Sequence, residues 1–207
     1  MVVSGGRTRQ SIEWPTVVVI VGFFTAWLGI ILGHAHIPWP LELLALWFLG
    51  GLWLSIGHEL LHGHPTSSSR VNAAVWLLPL ALWIPYGRYK SLHTQHHRSD
   101  LTDPFDDTES TYVTPAVWQA AGPWKRRYWL FLRTTPGRFT LGVPRTVLRF
   151  WWRDLHHLDD RTIRRQWLVQ FVLAVPLCWW LFAVVGVSPW VYCFGFVLGG
   201  VSISTMR

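Results

Sequence analysis

LELLALWFLGGLWLSIG, residues 41–57, runs without a break into HELLH, residues 58–62. An apolar helix ending in two histidines decides how the rest of the chain is read. His58 and His62 are four apart, so on a helix they stand one turn apart on one face. Further on comes HTQHH, where His93, His96 and His97 gather three imidazoles over a single helical turn. Imidazole is the commonest protein metal ligand. One histidine near a membrane surface is ordinarily solvated or capping; two clusters with this spacing point to a metal site.

Of the 207 residues, 51% are hydrophobic, only 14% are charged and 16 are Trp. That exceeds what a soluble core of this size needs, and it indicates a membrane protein with aromatic residues near the lipid interfaces. Cys178 and Cys193 lie in apolar runs whose spacing suggests neither a disulfide nor a zinc site. The net charge of +7 could mean nucleic acid or anionic lipid, and the distribution decides between them. Fifteen of the eighteen Lys and Arg lie between His58 and Gln166, leaving Arg7, Arg9 and Arg207 outside. This is the positive-inside pattern. The basic groups also sit among Trp, in PWKRRYW and RFWWRD, as suits a headgroup region. There is no nucleic-acid motif.

Thr16–Gly33 is free of charge and about long enough to cross a hydrocarbon core of ~30 Å. A signal peptide is the weaker reading, because no small-residue cleavage site follows. HAHIPWP, residues 34–40, turns the chain back into 41–57, so HELLH emerges on the side of the N-terminus and His34 and His36 on the other. The stretch 71–86 is short and contains Pro79 and Pro85, which favours an interfacial or re-entrant segment. Residues 87–166 read as a cytoplasmic cap, with amphipathic helices near 124–133 and 146–156. Spans over 167–186 and 189–205 complete the expectation: an all-α integral membrane protein, one domain, with about four transmembrane helices in two hairpins.

Zinc sites take three or four protein ligands. Five or six clustered histidines exceed one such ion, and two metals in one site account for the excess. Imidazole suits Zn, Cu, Fe and Ni alike, so the ligands leave the metal open. A metal site at the membrane surface under a cap can act on a lipid tail entering sideways.

HELLH at 58–62 and HTQHH at 93–97 resemble the first two histidine boxes of the membrane fatty-acid desaturase and hydroxylase family. HGHPT at 62–66 and DLTDPFDD at 100–107 resemble its bacterial desaturase-type members. The resemblance covers roughly Leu41 to the end. It implies two non-haem iron ions, dioxygen as co-substrate, two external electrons, and desaturation or hydroxylation of a lipid acyl chain. Carried over by position, His58, His62, His93, His96 and His97 are the metal ligands. His64 is a further candidate outside the core box, and Glu59 a group that orients an imidazole. Asp100, Asp103, Asp106 and Asp107 are read as capping or solvated. The family's third box, another HxxHH, is not met before Arg207, and the adjacent His156 and His157 do not match its spacing. The expectation is a C-terminally incomplete chain, inactive on its own.

Other readings stay open. A carotenoid ketolase or hydroxylase, or an alkane hydroxylase, would share the fold and the boxes. A membrane zinc protease would use Glu59 as general base but explains HTQHH badly. A catalytically inactive fragment is the third. No GxGxxG, flavin motif or haem-binding HPGG occurs, so electrons are expected from a separate carrier such as a ferredoxin or rubredoxin. The basic cap suits an acidic partner. The expected location is a bacterial inner membrane with the histidine clusters facing the cytoplasm.

Overall fold

Helix α1, Trp14–Gly33, starts with Pro15 in its first turn, where the ring's missing N–H leaves no helical bond unmade. Its buried residues, Ile20, Phe23, Trp27 and Ile31, form one stripe at three- and four-residue steps. The opposite face is just as apolar: Val18, Val21 and Leu32 are all exposed. A helix that is hydrophobic all round yet packed on one side belongs against lipid. The computed structural model describes residues 12–100 and 113–204, and every regular element within them is helical. Asp103, Asp106 and Asp107 lie outside the described residues.

A 3₁₀ turn, His34–His36, leads into α2, Trp39–Leu61. The two helices are antiparallel, because the Glu13 N–H at the start of α1 donates to Pro65 O just past the end of α2 at 3.0 Å. Helix α2 runs four residues beyond the expected 57, so the membrane segment and the first histidine cluster form one rod. The third long helix, α9, spans Arg161–Cys178 and continues as a π-helix over Trp179–Val185. It begins six residues before the expected 167, because the Asp160 side chain caps it, accepting from the Thr162 and Ile163 N–H groups. Among the described residues three helices are long and apolar enough to cross a membrane: Trp14–His36, Trp39–Leu61 and Arg161–Val185. The fourth apolar stretch, expected as a span over 189–205, is helical as far as the described residues run. It comprises α10 (Pro189–Tyr192), a π-helix (Cys193–Leu198) and α11 (Gly199–Ser204).

That last run packs along α2 at backbone contact. A Cβ on Gly50 would collide with Phe196 O, one on Gly199 with Trp47, and one on Gly200 would stand 2.7 Å from Gly50 O. Small residues let backbones approach where lipid tails remove the hydrophobic drive for association, so close packing holds the helices together. Trp47 Nε1 adds a hydrogen bond to Ser202 Oγ at 2.9 Å.

Between α2 and α9 lies the 71–86 stretch. It holds a two-turn helix, α3 (Ser69–Val75), and then an irregular passage through Pro79 and Pro85, with Leu82 at φ 58°. Trp76, Leu80, Ala81 and Ile84 in it are buried in the core. Irregular backbone at such depth needs partners for its carbonyls. Tyr192 Oη donates to Leu80 O at 3.0 Å, Gln170 Nε2 to Leu82 O at 3.1 Å and Trp151 Nε1 to Trp83 O at 2.8 Å. Three helices thus hold the passage that delivers the second histidine helix, α4, Tyr86–His96.

Residues 113–160 form a layer of short helices: α5 (Pro115–Ala120), α6 (Pro123–Leu132), the single turn α7 (Thr135–Gly137) leading into a π-helix, and α8 (Val143–Leu155). Helix α8 turns Val143, Val147, Phe150 and Asp154 inward. In α6, Lys125 lies over Trp129 and Arg127 over Trp124, while Trp124 itself is exposed. Aromatic rings paired with cations at a surface are the residues of a membrane interface.

Candidate metal centre

Helix α2 carries His58 in its last turn and His62 directly after it; the ring centroids are 4.5 Å apart. Helix α4 carries His93 in its last turn and His97 directly after it, again 4.5 Å apart. Both helices therefore stop where their histidines meet. His93 stands 4.8 Å from His58 between ring centroids, and His62 5.0 Å from His97. One potential ligand atom from each of His58, His62, His93 and His97 lies within 4.8 Å of all the others.

The nitrogen spacing tests whether a cation fits. His93 Nε2 is 3.1 Å from His62 Nε2 and 3.0 Å from His97 Nε2. Metal–imidazole bonds of about 2.1 Å separate neighbouring ligands by about 3.0 Å in an octahedron and about 3.4 Å in a tetrahedron. Both separations match neighbouring ligands on one divalent first-row ion, and the four potential ligand atoms lie within 4.8 Å of one another.

Protonation works in the same direction. Burial, followed by the nearby His58, His97, His62 and His96, pushes the His93 imidazole down to about 4. His62 is lowered as well, by burial first and then by His58 and His97. Only neutral imidazole binds a metal, so an environment that disfavours imidazolium prepares the ligand. Glu59 Oε1 accepts from His58 Nδ1 at 3.2 Å, which places the proton on Nδ1 and leaves Nε2 for a cation.

The other candidates lie elsewhere. His96 is next to the group, with its ring 6.1 Å from that of His93 and 5.7 Å from that of His97, but it is not one of the four. His64 turns away; its Nδ1 meets Glu13 Oε2 at 2.6 Å. His156 and His157 are exposed and donate from Nδ1 to Trp152 O and Arg153 O within α8. His34 is at the other end of α1, 3.0 Å from Val185 O. Asp100 is exposed and outside the four.

Two supports of the centre escaped the sequence reading. Trp76 stacks on Trp53 of α2 at 4.6 Å and lies 5.8 Å from Tyr89 of α4, wedging the two histidine helices at a fixed distance. Gly57 makes room for it, since any Cβ there would strike the Trp76 ring. The second support is Asp154. It is 1% exposed and accepts from Arg88 Nε at 2.7 Å and Nη2 at 2.8 Å, and from Trp167 Nε1 at 2.9 Å. One buried carboxylate so ties α4 to α8 and α9.

Comparison with curated proteins and with solved structures finds no match. The model of one protein family, described as fatty acid desaturase, matches residues 36–207. The match takes in α2 with HELLH, α4 with HTQHH, and all that follows. By that match, the chain belongs to the fatty acid desaturase family.

Proposed function

We propose that the chain uses iron and dioxygen to desaturate or hydroxylate the acyl chain of a membrane lipid or fatty acid. One observation carries the reading: His58, His62, His93 and His97 converge to within 4.8 Å in a member of this family. Bound iron would supply the dioxygen activation that breaking an unactivated C–H bond requires, with two electrons delivered from outside. His58, His62, His93 and His97 would hold one ion, and His96, the next imidazole along α4, would contribute to a second. Glu59 keeps His58 in the tautomer that ligates, and Asp154 holds α4 in register through Arg88. Trp76 and Tyr89 close the core side of the centre.

The histidine end of the helices faces the cytoplasm in this reading, supported by the fifteen basic residues between His58 and Gln166. Exposed Lys90 and Arg98, flanking the second cluster, suit docking of an acidic ferredoxin- or rubredoxin-like carrier. The protease reading is disfavoured because four imidazoles would fill all four positions of a tetrahedral zinc, one of which a catalytic zinc keeps for water.

The test uses the full chain purified in detergent. Metal analysis should find iron, and His93→Ala should lose it. A host expressing the chain, profiled for fatty acids and carotenoids, should accumulate an oxidised lipid that the His93→Ala host lacks. Zinc in place of iron, or a lipid profile identical in the two hosts, would overturn the proposal.

A further inference from the structure

Two hollows along α9 run into each other. The first, of about 310 Å³, lies between the start of α4 and the first turns of α9, and its polar wall is Thr162, Arg165, Gln166 and Gln170. The second, of about 440 Å³, lies deeper, where α1, the 77–79 bend and the middle of α9 meet. Its lining is entirely hydrophobic, and Trp27 and Trp180, 6.2 Å apart, form its far end. Leu77 and Leu173 line both, so the two make one groove. Each volume is of the size that holds a ligand, roughly 300–1,000 Å³.

The groove has the polarity profile of a lipid. Fifteen residues of α9 separate Arg165 from Trp180, about 22 Å at 1.5 Å per residue. An all-trans chain of about eighteen carbons is equally long, since each C–C bond of about 1.5 Å advances it about 1.25 Å. The rim is apolar and open to the side: Leu77, Leu78 and Val169 are 55%, 37% and 49% exposed. At the polar end Arg165 is an exposed cation, and Gln166 Oε1 is a buried acceptor without a protein hydrogen-bond partner. A phosphodiester matches the guanidinium. A headgroup hydroxyl matches the amide oxygen, which otherwise remains unsatisfied. A choline headgroup or a fatty carboxylate offers no such donor.

This groove is separate from the metal centre. Trp53, Trp76 and Tyr89 stand in contact between it and His93, with Tyr89 6.0 Å from His93 between ring centroids. It also leads towards Trp27, near the end of α1 remote from HELLH, so a tail lying in it points away from the imidazoles.

We propose that the groove seats one resident molecule of an anionic, hydroxyl-bearing phospholipid, of which phosphatidylglycerol is the simplest. The phosphate sits on Arg165, a headgroup hydroxyl donates to Gln166 Oε1, and one acyl chain lies along α9 past Leu173. The proposal stands independently of the metal reading.

The full chain, purified and delipidated in detergent, is titrated with dioleoyl phosphatidylglycerol, dioleoyl phosphatidylcholine and oleate, and bound lipid is counted by native mass spectrometry. One phosphatidylglycerol should be retained about tenfold more tightly than either alternative, as one added hydrogen bond to an otherwise unsatisfied buried acceptor allows. Arg165→Glu and Gln166→Leu should each erase that preference. Leu173→Trp, which blocks the neck, should abolish retention of all three. Should the last variant fail to fold, the first two carry the test. Phosphatidylcholine or oleate held as tightly as phosphatidylglycerol would refute the proposal, as would unchanged binding in both polar-end variants. Iron content is measured on the same samples: its absence alongside selective lipid binding would sink the metal reading and leave this one standing.

Discussion

Asp154→Ala should damage the metal centre from a distance. The side chain touches no histidine of the four, yet it anchors the helix that carries two of them. Its carboxylate and the Arg88 guanidinium are 1% and 12% exposed and pair bidentately at 2.7 and 2.8 Å. Removing the carboxylate leaves the guanidinium buried without its counter-charge, and one-sided loss of a buried pair costs about 3–5 kcal/mol. The Trp167 N–H loses its acceptor too, which adds about 1 kcal/mol. A total of about 4–6 kcal/mol corresponds to roughly a thousand- to ten-thousandfold in the unfolding equilibrium. The assay is reversible loss of helicity on titrating the detergent-solubilised protein with SDS. Arg88→Met combined with Asp154→Leu should recover most of the loss, because an apolar pair of similar volume leaves no charge uncompensated. Arg88 stands five residues before His93 on α4, so metal retention in Asp154→Ala should fall as well, and in the double variant return only in part. A loss below about 1 kcal/mol, or a double variant no better than the sum of its singles, would refute the reasoning.

Four further outcomes are expected. His93→Ala, which removes the nitrogen that touches both His62 and His97, should lower metal affinity at least as much as the 10–100-fold of a lost supporting contact, whereas His34→Ala should leave it unchanged in metal titrations. His64→Ala and Glu13→Gln should leave metal content at the parent level; a loss matching that of His62→Ala would return His64 to the ligand set. In the metal-free protein His93 should stay neutral to about pH 4, so that the unfolded chain, near 6.5, takes up a proton the folded one refuses. Stability is then fully present above pH 6.5 and falls as the pH drops towards 4, a slope that His93→Gln should reduce and NMR titration of the imidazoles can follow. Gly199→Leu should cost about 1–3 kcal/mol in the SDS assay, because its side chain must displace Trp47 from the contact of α11 with α2.

The parts of this molecule that repeat with a period were legible in the sequence. The apolar runs of α1, α2 and α9 and the i, i+4 spacing of each histidine pair announced themselves, and two clusters so spaced had few explanations other than metal binding. Pairings across the chain had no such signature. Asp154 lies in RFWWRDLHH beside two exposed histidines, and nothing local separates it from the exposed Asp159, although one is buried on Arg88 and the other is not. The glycines of GFVLGG, four apart at 195 and 199, carry a readable small-residue signal for helix contact. Nor did the run of apolar residues between Val71 and Tyr86 reveal its path, because that depends on Tyr192, Gln170 and Trp151 reaching back to three carbonyls.

His64 shows why residue type was insufficient even beside a box. In HELLHGH the last two histidines are two apart, so a continuing helix would set them about 200° apart, on opposite faces. The chain avoids that by ending α2 at Leu61 and turning at Gly63, whose φ of +92° is open to glycine and strained for other residues. The turn carries His64 back towards the start of α1, where Glu13 Oε2 waits 2.6 Å from its Nδ1. Paired with that carboxylate, His64 closes the α1–α2 hairpin; a ligand must instead face its cation. Two imidazoles two positions apart so take opposite chemical parts, and a single glycine between them decides which faces the centre.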